Sequence, residues 1–332
     1  MGSRGGDYRG PKGREKINPS GKDRDKNPAL PAGPTGKGMY ITLLMSQFMS
    51  GLSQGMMLFL IASGLSLIFG VMNILNFAHA SFWLVGAYFC HSFWLLMKDY
   101  GFGLWVSIPL AGLVMAGIGW LIEVILIRRV YNRELPEQLL LTYAMFLIIG
   151  DIIKISWGVE DRLIIRPAGV AGPVFFFGIP IDSYFIFVIL VGVGVAIGLW
   201  FFLKKTKYGH IVRAAVFSRE MVSALGIPVP KIYTGVFILG IFIAGTAGAV
   251  QAPVGSITLG MDMAVIIQAF CVVVIGGFGS LLGTLVGSII VGEIYAFSIL
   301  FWPQGALALI FIVTAIILIV RPWGLFGTPM RV

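Results

Sequence analysis

Apolar residues run along this chain in blocks too long for the core helices of a soluble domain. GMMLFLIASGLSLIFGVM (55–72) and WLVGAYFCHSFWLLM (83–97) are two of them. Candidate spans fall at 40–58, 59–72, 78–97, 102–127, 136–157, 181–203, 232–252, 262–275, 281–298 and 303–320, of which 59–72 and 262–275 are short. Apolar runs of about 17–25 residues are what a helix needs to cross a ~30 Å hydrocarbon core. No run alternates with period two over ~10 residues between turns, which argues against an outer-membrane barrel. The pattern predicts an all-α integral membrane protein, a polytopic helical bundle of about 8–10 membrane elements.

Polar residues interrupt the apolar pattern at NILNFAHASF (73–82). Irregular backbone at membrane depth is tolerated only where protein buries it or where it lines a wet cavity. Asn73, Asn76, His79 and Ser81 offer donors and acceptors for the backbone groups such a break would free. Two compatible readings are open. These side chains satisfy a broken backbone, or they border a solute path, since transporters place polar sites at discontinuous helices. A second break falls in VVVIGGFGSLLGTLVGS (272–288), where Gly276-Gly277 marks a turn or re-entrant bend. Gly279, Gly283 and Gly287 recur every four residues, the spacing of one close-packed helix face.

Charge sets an orientation. Arg128, Arg129, Arg133, Lys204, Lys205, Lys207, Arg213, Arg219, Lys231, Arg321 and Arg331 fall on one side if the spans alternate, against Lys98, Arg162 and Arg166 on the other. By the positive-inside rule the first side is cytoplasmic. Splitting 41–69 into a full span and an element that turns near 70–78 brings the N-terminus to that same side. Both termini are then expected in the cytoplasm. Residues 1–38 carry nine Lys/Arg and four Asp/Glu in a Gly- and Pro-rich, apolar-poor sequence, which reads as a disordered basic extension before the membrane domain at 39–332. It has no apolar core of a secretory signal.

Composition agrees. The chain is 58% hydrophobic and 12% charged, against roughly 25% charged residues in soluble domains. Cys90 and Cys271 lie inside apolar spans without metal-ligand spacing, and His79, His91 and His210 are scattered. PTGKG (34–38) lacks the first Gly and the final Ser/Thr of a phosphate-binding loop. No activated nucleophile or carboxylate pair suggests an enzyme. Among charges within spans, Asp151 and Lys154 either pair or sit at the outer interface beside Trp157. Glu123 lies a turn before Arg128, and Glu293 is isolated.

The connection KKTKYGHIVRAAVFSREMVSALGIPVPK (204–231) is the longest polar segment after the head. Residues 210–225 read as one helix stopped by Gly226 with Pro228 following. On composition it is an interfacial helix lying on headgroups, or a helix offered to a groove on a cytoplasmic partner.

NFAHASFWLVGAY (76–88), GHIVRAAVFSREMVSALGI (209–227), VVIGGFGSLLGTLVGSIIVG (273–292) and the closing RPWGLFG (321–327) together resemble the branched-chain amino acid permease family of bacterial ABC importers. The similarity covers roughly 41–328. It implies a type II-like ABC importer permease with discontinuous helices, in the bacterial inner membrane. It also implies a second permease subunit, two cytoplasmic ATP-binding subunits that bind the ATP, and a periplasmic substrate-binding protein. No cofactor of the chain's own and no nucleic acid are expected. Carried over by position, Asn76, Phe77, Ala78 and His79 match the motif near the pathway, where Ala80 stands in place of the family's usual Gly. Asn73, Asn76, His79, Ser81, Gly276 and Gly277 become candidate pathway positions. Residues 210–227 become the coupling helix, with Arg213, Arg219, Glu220, Ala224, Leu225 and Gly226 as candidate ATPase-coupling positions. The cargo expected is a branched-chain or related amino acid. Rivals are urea, short amides or aromatic acids through the same fold, and a stand-alone ion-coupled carrier.

Overall fold

The computed structural model describes residues 2, 36–176 and 179–327. The expected disordered head, 1–38, lies outside the described residues except for Gly2 and the three positions that open the first helix; Arg331 also lies outside them. The helices are α1 (Gly36–Met72), α2 (His79–Met97), α3 (Gly103–Ile125), α4 (Leu135–Trp157), α5 (Ser183–Lys205), α6 (Lys207–Phe217), α7 (Arg219–Ala224), α8 (Val229–Gln251), α9 (Met261–Gly276), α10 (Leu281–Phe301) and α11 (Ala306–Val320). Eight of them are long and apolar enough to cross a membrane, the last as the segment Pro303–Val320. With 16 residues, α9 rises about 24 Å, short of a ~30 Å hydrocarbon core. Between α4 and α5 a small antiparallel pair forms, β1 (Pro173–Phe176) with β2 (Ile179–Asp182), Pro173 standing opposite Asp182.

Burial separates centre from rim. In α1, 83% of the most apolar window is buried inside the protein, against 17% in α5 and in Pro303–Val320. The central position of α1 follows from its small residues. Lipid tails are as apolar as leucine, so close packing rather than the hydrophobic effect holds such helices together. Gly51 and Gly55 of α1 face Glu293 and Ser288 of α10, and Gly64 faces Gly240 of α8 and the His79 ring. Thus α1 joins a group formed by α2, α3 and α8 to a second group formed by α9, α10 and α11.

Three expectations are corrected. Positions 40–58 and 59–72 are one continuous helix, because Gly64 and Gly70 face neighbouring backbone, at Gly240 and Gly279, and do not break the chain. The break comes at Asn73, whose φ of 56° is left-handed. Its N–H still donates to Phe69 O at 2.8 Å, a helix end that asparagine tolerates better than most side chains. With a single crossing, Gln47 donates to Ala296 O near one end of α1, while Asn73 lines a cleft with Asn132, Arg133 and Arg219 at the other. This removes the parity reason for bringing the N-terminus to the basic face.

Second, the expected helix 210–225 is two helices. Ser218 is extended (φ −157°, ψ 108°), and its Oγ accepts from Met221 N, capping α7. Thr206 caps α6 in the same way through Gly209 N. Third, Gly279 is not on the α10 face. It sits in a left-handed turn (φ 75°) before that helix begins, while Gly283 and Gly287 do pack on α9.

Candidate functional site

From Asn73 the chain climbs back into the protein without helical bonding until His79. Thr142 of α4 steadies this passage by donating to Leu75 O at 3.1 Å, and Phe77 packs against Phe270 and Tyr143. The turn before α2 is closed by His79 N donating to Asn76 O at 3.2 Å. The His79 ring reaches α1, with Nε2 3.1 Å from Ile61 O. A carbonyl can only accept, so Nε2 carries the proton and Nδ1 presents a lone pair. Ile61 precedes Asn73 by twelve residues, about 18 Å along the helix. α2 therefore starts deep inside the bilayer.

Polar atoms gather at this start. Asn76, His79 and Ser81 are fully buried. Among the described residues neither amide atom of Asn76 has a hydrogen-bond partner, nor does His79 Nδ1, nor the buried Tyr88 hydroxyl two turns beyond Ser81. Ser81 Oγ donates to Asp262 Oδ2 at 2.8 Å. Asp262 belongs to the first turn of α9, so the starts of two helices meet below the membrane surface. Sequence reading missed Asp262 because it stood at the edge of an apolar run, the usual place for a headgroup-level acid. The available signal was the shortness of that run, which cannot reach both surfaces.

The other candidate pathway positions lie elsewhere. Asn73 is exposed at the basic face, in a cleft of about 330 Å³ with Tyr131 and Arg219. Gly276 and Gly277 are covered by the closing segment. Leu325 N donates to Ile275 O at 2.8 Å and Phe326 N to Gly276 O at 3.1 Å, satisfying the carbonyls at the end of α9. Gly277 has φ 94°, and a side chain there would strike Gly327 and Trp323. These glycines allow RPWGLFG to seal the second break.

The coupling candidates lie on the basic face. Arg213 is half-buried, its Nε unpartnered among the described residues. The Arg219 guanidinium lies over the Tyr233 ring at 5.9 Å. Both Arg219 and Glu220 line a cleft of about 650 Å³ with Arg128, Tyr131 and Tyr233. Ala224, Leu225 and Gly226 are exposed, and Gly226 takes φ 77° to stop α7 as expected. Beside them Phe217 is 91% and Leu225 74% exposed. Behind this cleft the fully buried Glu123 accepts from Arg128 and from the Tyr131 hydroxyl, while Arg128 also donates to Thr234 of α8 at 3.0 Å. Burial and then the Glu123 hydrogen bond raise the Tyr131 phenol, and the same carboxylate raises the Arg128 guanidinium.

On the opposite face, Arg162 N donates to Ile257 O at 3.1 Å and Ile257 N returns to Arg162 O at 2.7 Å. Arg166 pairs with Asp182 at 2.6 Å and donates to Pro253 O. The 158–182 connection and the 252–260 connection are thereby tied together. Asp151 and Lys154 are both exposed on α4 and form no ion pair with each other.

A profile of the family described as "Branched-chain amino acid transport system / permease component" matches residues 47–320. The chain belongs to this family. It is a multi-pass membrane permease component of a transport system, not an enzyme. The permease is 27% identical over 300 residues to the high-affinity branched-chain amino acid transport system permease protein BraD of Pseudomonas aeruginosa, covering 86% of this chain and 96% of BraD. It is 25% identical over 298 residues to LivH of Escherichia coli K12, with the same two coverages. Over 67 residues it is 37% identical to LivM of Salmonella typhimurium, 20% of this chain and 15% of LivM. No solved structure matches the permease.

Proposed function

We propose that this permease passes a branched-chain or closely related amino acid inward, as one subunit of an ABC importer in the bacterial inner membrane. The basic face is cytoplasmic, as the excess of Lys and Arg in its connections favours. An extracytoplasmic binding protein delivers the cargo to the opposite face, where the 158–182 and 252–260 connections are knitted together. A second, LivM-like permease completes the membrane unit, and two ATPase subunits bind ATP below it. Asn76, His79 and Ser81 line the cargo path; Asn73 stands at its cytoplasmic mouth, and Gly276 and Gly277 shape the second break.

The observation that carries this reading is the helix pair α6–α7. On a membrane domain it leaves Phe217, Leu225 and Met221 exposed among charged neighbours. Bare apolar side chains among charges are what a partner's groove removes from water. Force from closing ATPases would pass through Arg213, Arg219, Glu220, Ala224, Leu225 and Gly226 to α8, through contacts such as Arg219 over Tyr233. The test is reconstitution of the full complex in proteoliposomes with its binding protein. ATP-dependent uptake of leucine, isoleucine or valine is expected. Replacing Phe217 and Met221 together by Ala should lower uptake and ATPase co-purification roughly tenfold, the scale of losing buried interface anchors. Uptake of urea or aromatic acids alone would overturn the cargo assignment, and ATP-independent flux through the permease by itself would overturn the mechanism.

A further inference from the structure

Asp262 is an acid placed where acids are expensive. Its carboxylate is 3% exposed as a residue, and the 14 residues to Gly276 put it about 21 Å above the basic end of α9. Its neighbours are the Ser81 hydroxyl and the backbone N–H groups of Asp262 and Met263, and among the described residues no cationic side chain lies within ion-pair distance. The other acids within the spans have different settings. Glu123 holds Arg128 and Tyr131, Glu137 pairs with Arg133, Asp151 is exposed on α4, and Glu293, its carboxylate oxygens unpartnered among the described residues, faces Gly51 between α10 and α1. An ionisable group inside the membrane normally pairs with another charge or serves a transported one. Asp262 alone adjoins the buried polar start of α2.

That start has complementary chemistry. Ala78 at the N-cap of α2 provides no side-chain hydrogen bond, and His79 N is given to Asn76 O. The Ala80 and Ser81 N–H groups, which no side chain caps, are the ones left to an anion, as helix starts favour. Fully buried Asn76 and His79 present unpartnered polar atoms at the same place. One negative group and one anion-seeking helix start therefore stand side by side, joined by the Ser81–Asp262 hydrogen bond.

We propose that Asp262 is the ammonium subsite of the cargo path, with the open start of α2 and the Asn76 amide receiving the carboxylate of the same amino acid. This rests on the reading of the permease as an amino-acid importer, and names the residue by which it distinguishes an amino acid from a neutral or purely anionic solute. Ser81 parks the carboxylate while the path is empty, and the cargo ammonium replaces that hydroxyl.

The test uses the full complex in proteoliposomes with saturating binding protein, measuring leucine uptake and binding-protein-stimulated ATP hydrolysis together. Asp262→Asn keeps shape and removes charge. Its uptake is expected to fall tenfold or more, the range of one charge-assisted hydrogen bond, while stimulated ATP hydrolysis persists. Asp262→Glu should recover part of the uptake. The thermal midpoint of the detergent-purified complex is expected to be the same in Asp262→Asn as in the wild type, since an Asn oxygen can still accept from Ser81. Wild-type uptake by Asp262→Asn overturns the proposal. So does a loss of uptake accompanied by a clearly lowered midpoint, which would make the Ser81–Asp262 pair a structural tie. A wild-type complex that ignores branched-chain amino acids would instead remove the parent reading.

Discussion

Glu123 shows what one buried carboxylate does at the end of a span. It carries no exposed surface, and its two oxygens accept from the Arg128 guanidinium at 3.2–3.4 Å and from the Tyr131 hydroxyl. Because burial and this bond raise the phenol, Tyr131 stays a donor throughout the physiological range. Glu123→Gln should leave Arg128 and Tyr131 without their shared anion and lower the thermal midpoint of the detergent-purified permease by several degrees. Tyr131→Phe should lower it less. A double variant with the sum of the two effects would show that the groups act independently; a smaller combined loss is expected, since they share one network. The Glu123–Arg128 contact was legible as a one-turn spacing near a span end. Asn76 and His79 were legible as polar letters in apolar text. Asp262 was not, because a residue at the boundary of an apolar run looks the same whether that boundary lies at the headgroups or deep inside.

At the scale of elements, Ser218 separates what periodicity merges. Ile211, Ala214, Ala215, Met221, Val222 and Leu225 keep a helical rhythm across 210–225, so a single helix is the natural reading. The competing signal is Ser218 followed by Arg219 and Glu220, an N-cap with an acid in the first turn. Its side chain does cap α7 through Met221 N at 3.2 Å. The result is a jointed pair in which α6 packs on α5 and α7 reaches the Arg128–Tyr131 cleft. Ser218→Ala removes that cap, which costs about 1 kcal/mol at a typical helix start. Amide exchange across 219–224 should then quicken while 207–217 is unchanged. If α6–α7 transmits motion, the variant should also transport fewer molecules per ATP. Equal protection of 219–224 in both proteins would mean that tertiary contacts alone hold α7.

For the whole molecule, the number of spans was more legible than their parity. Mean hydropathy finds the apolar stretches, but it cannot tell a helix that turns at a glycine from one that continues past it. Gly64 and Gly70 looked like break points and are packing points, since each faces another glycine of a neighbouring element. One unbroken α1 has a consequence that labelling can read. The Gln47 end contacts Ala296, near the end of α10 that leads to the Trp302–Gly305 turn. The Asn73 end shares a cleft with Asn132. Ile41 and Asn132 must then lie on opposite sides of the membrane. Cys90 and Cys271 are buried, so Ile41→Cys and Asn132→Cys can be compared in an otherwise unaltered chain. With a membrane-impermeant maleimide, Ile41→Cys should label from outside the cell and Asn132→Cys only in inverted vesicles. Labelling of both from one side would mean that α1 turns back within the bilayer. The excess of basic residues around Asn132 would then still mark the cytoplasm, but α1 could no longer be the central crossing that holds the start of α2 in place.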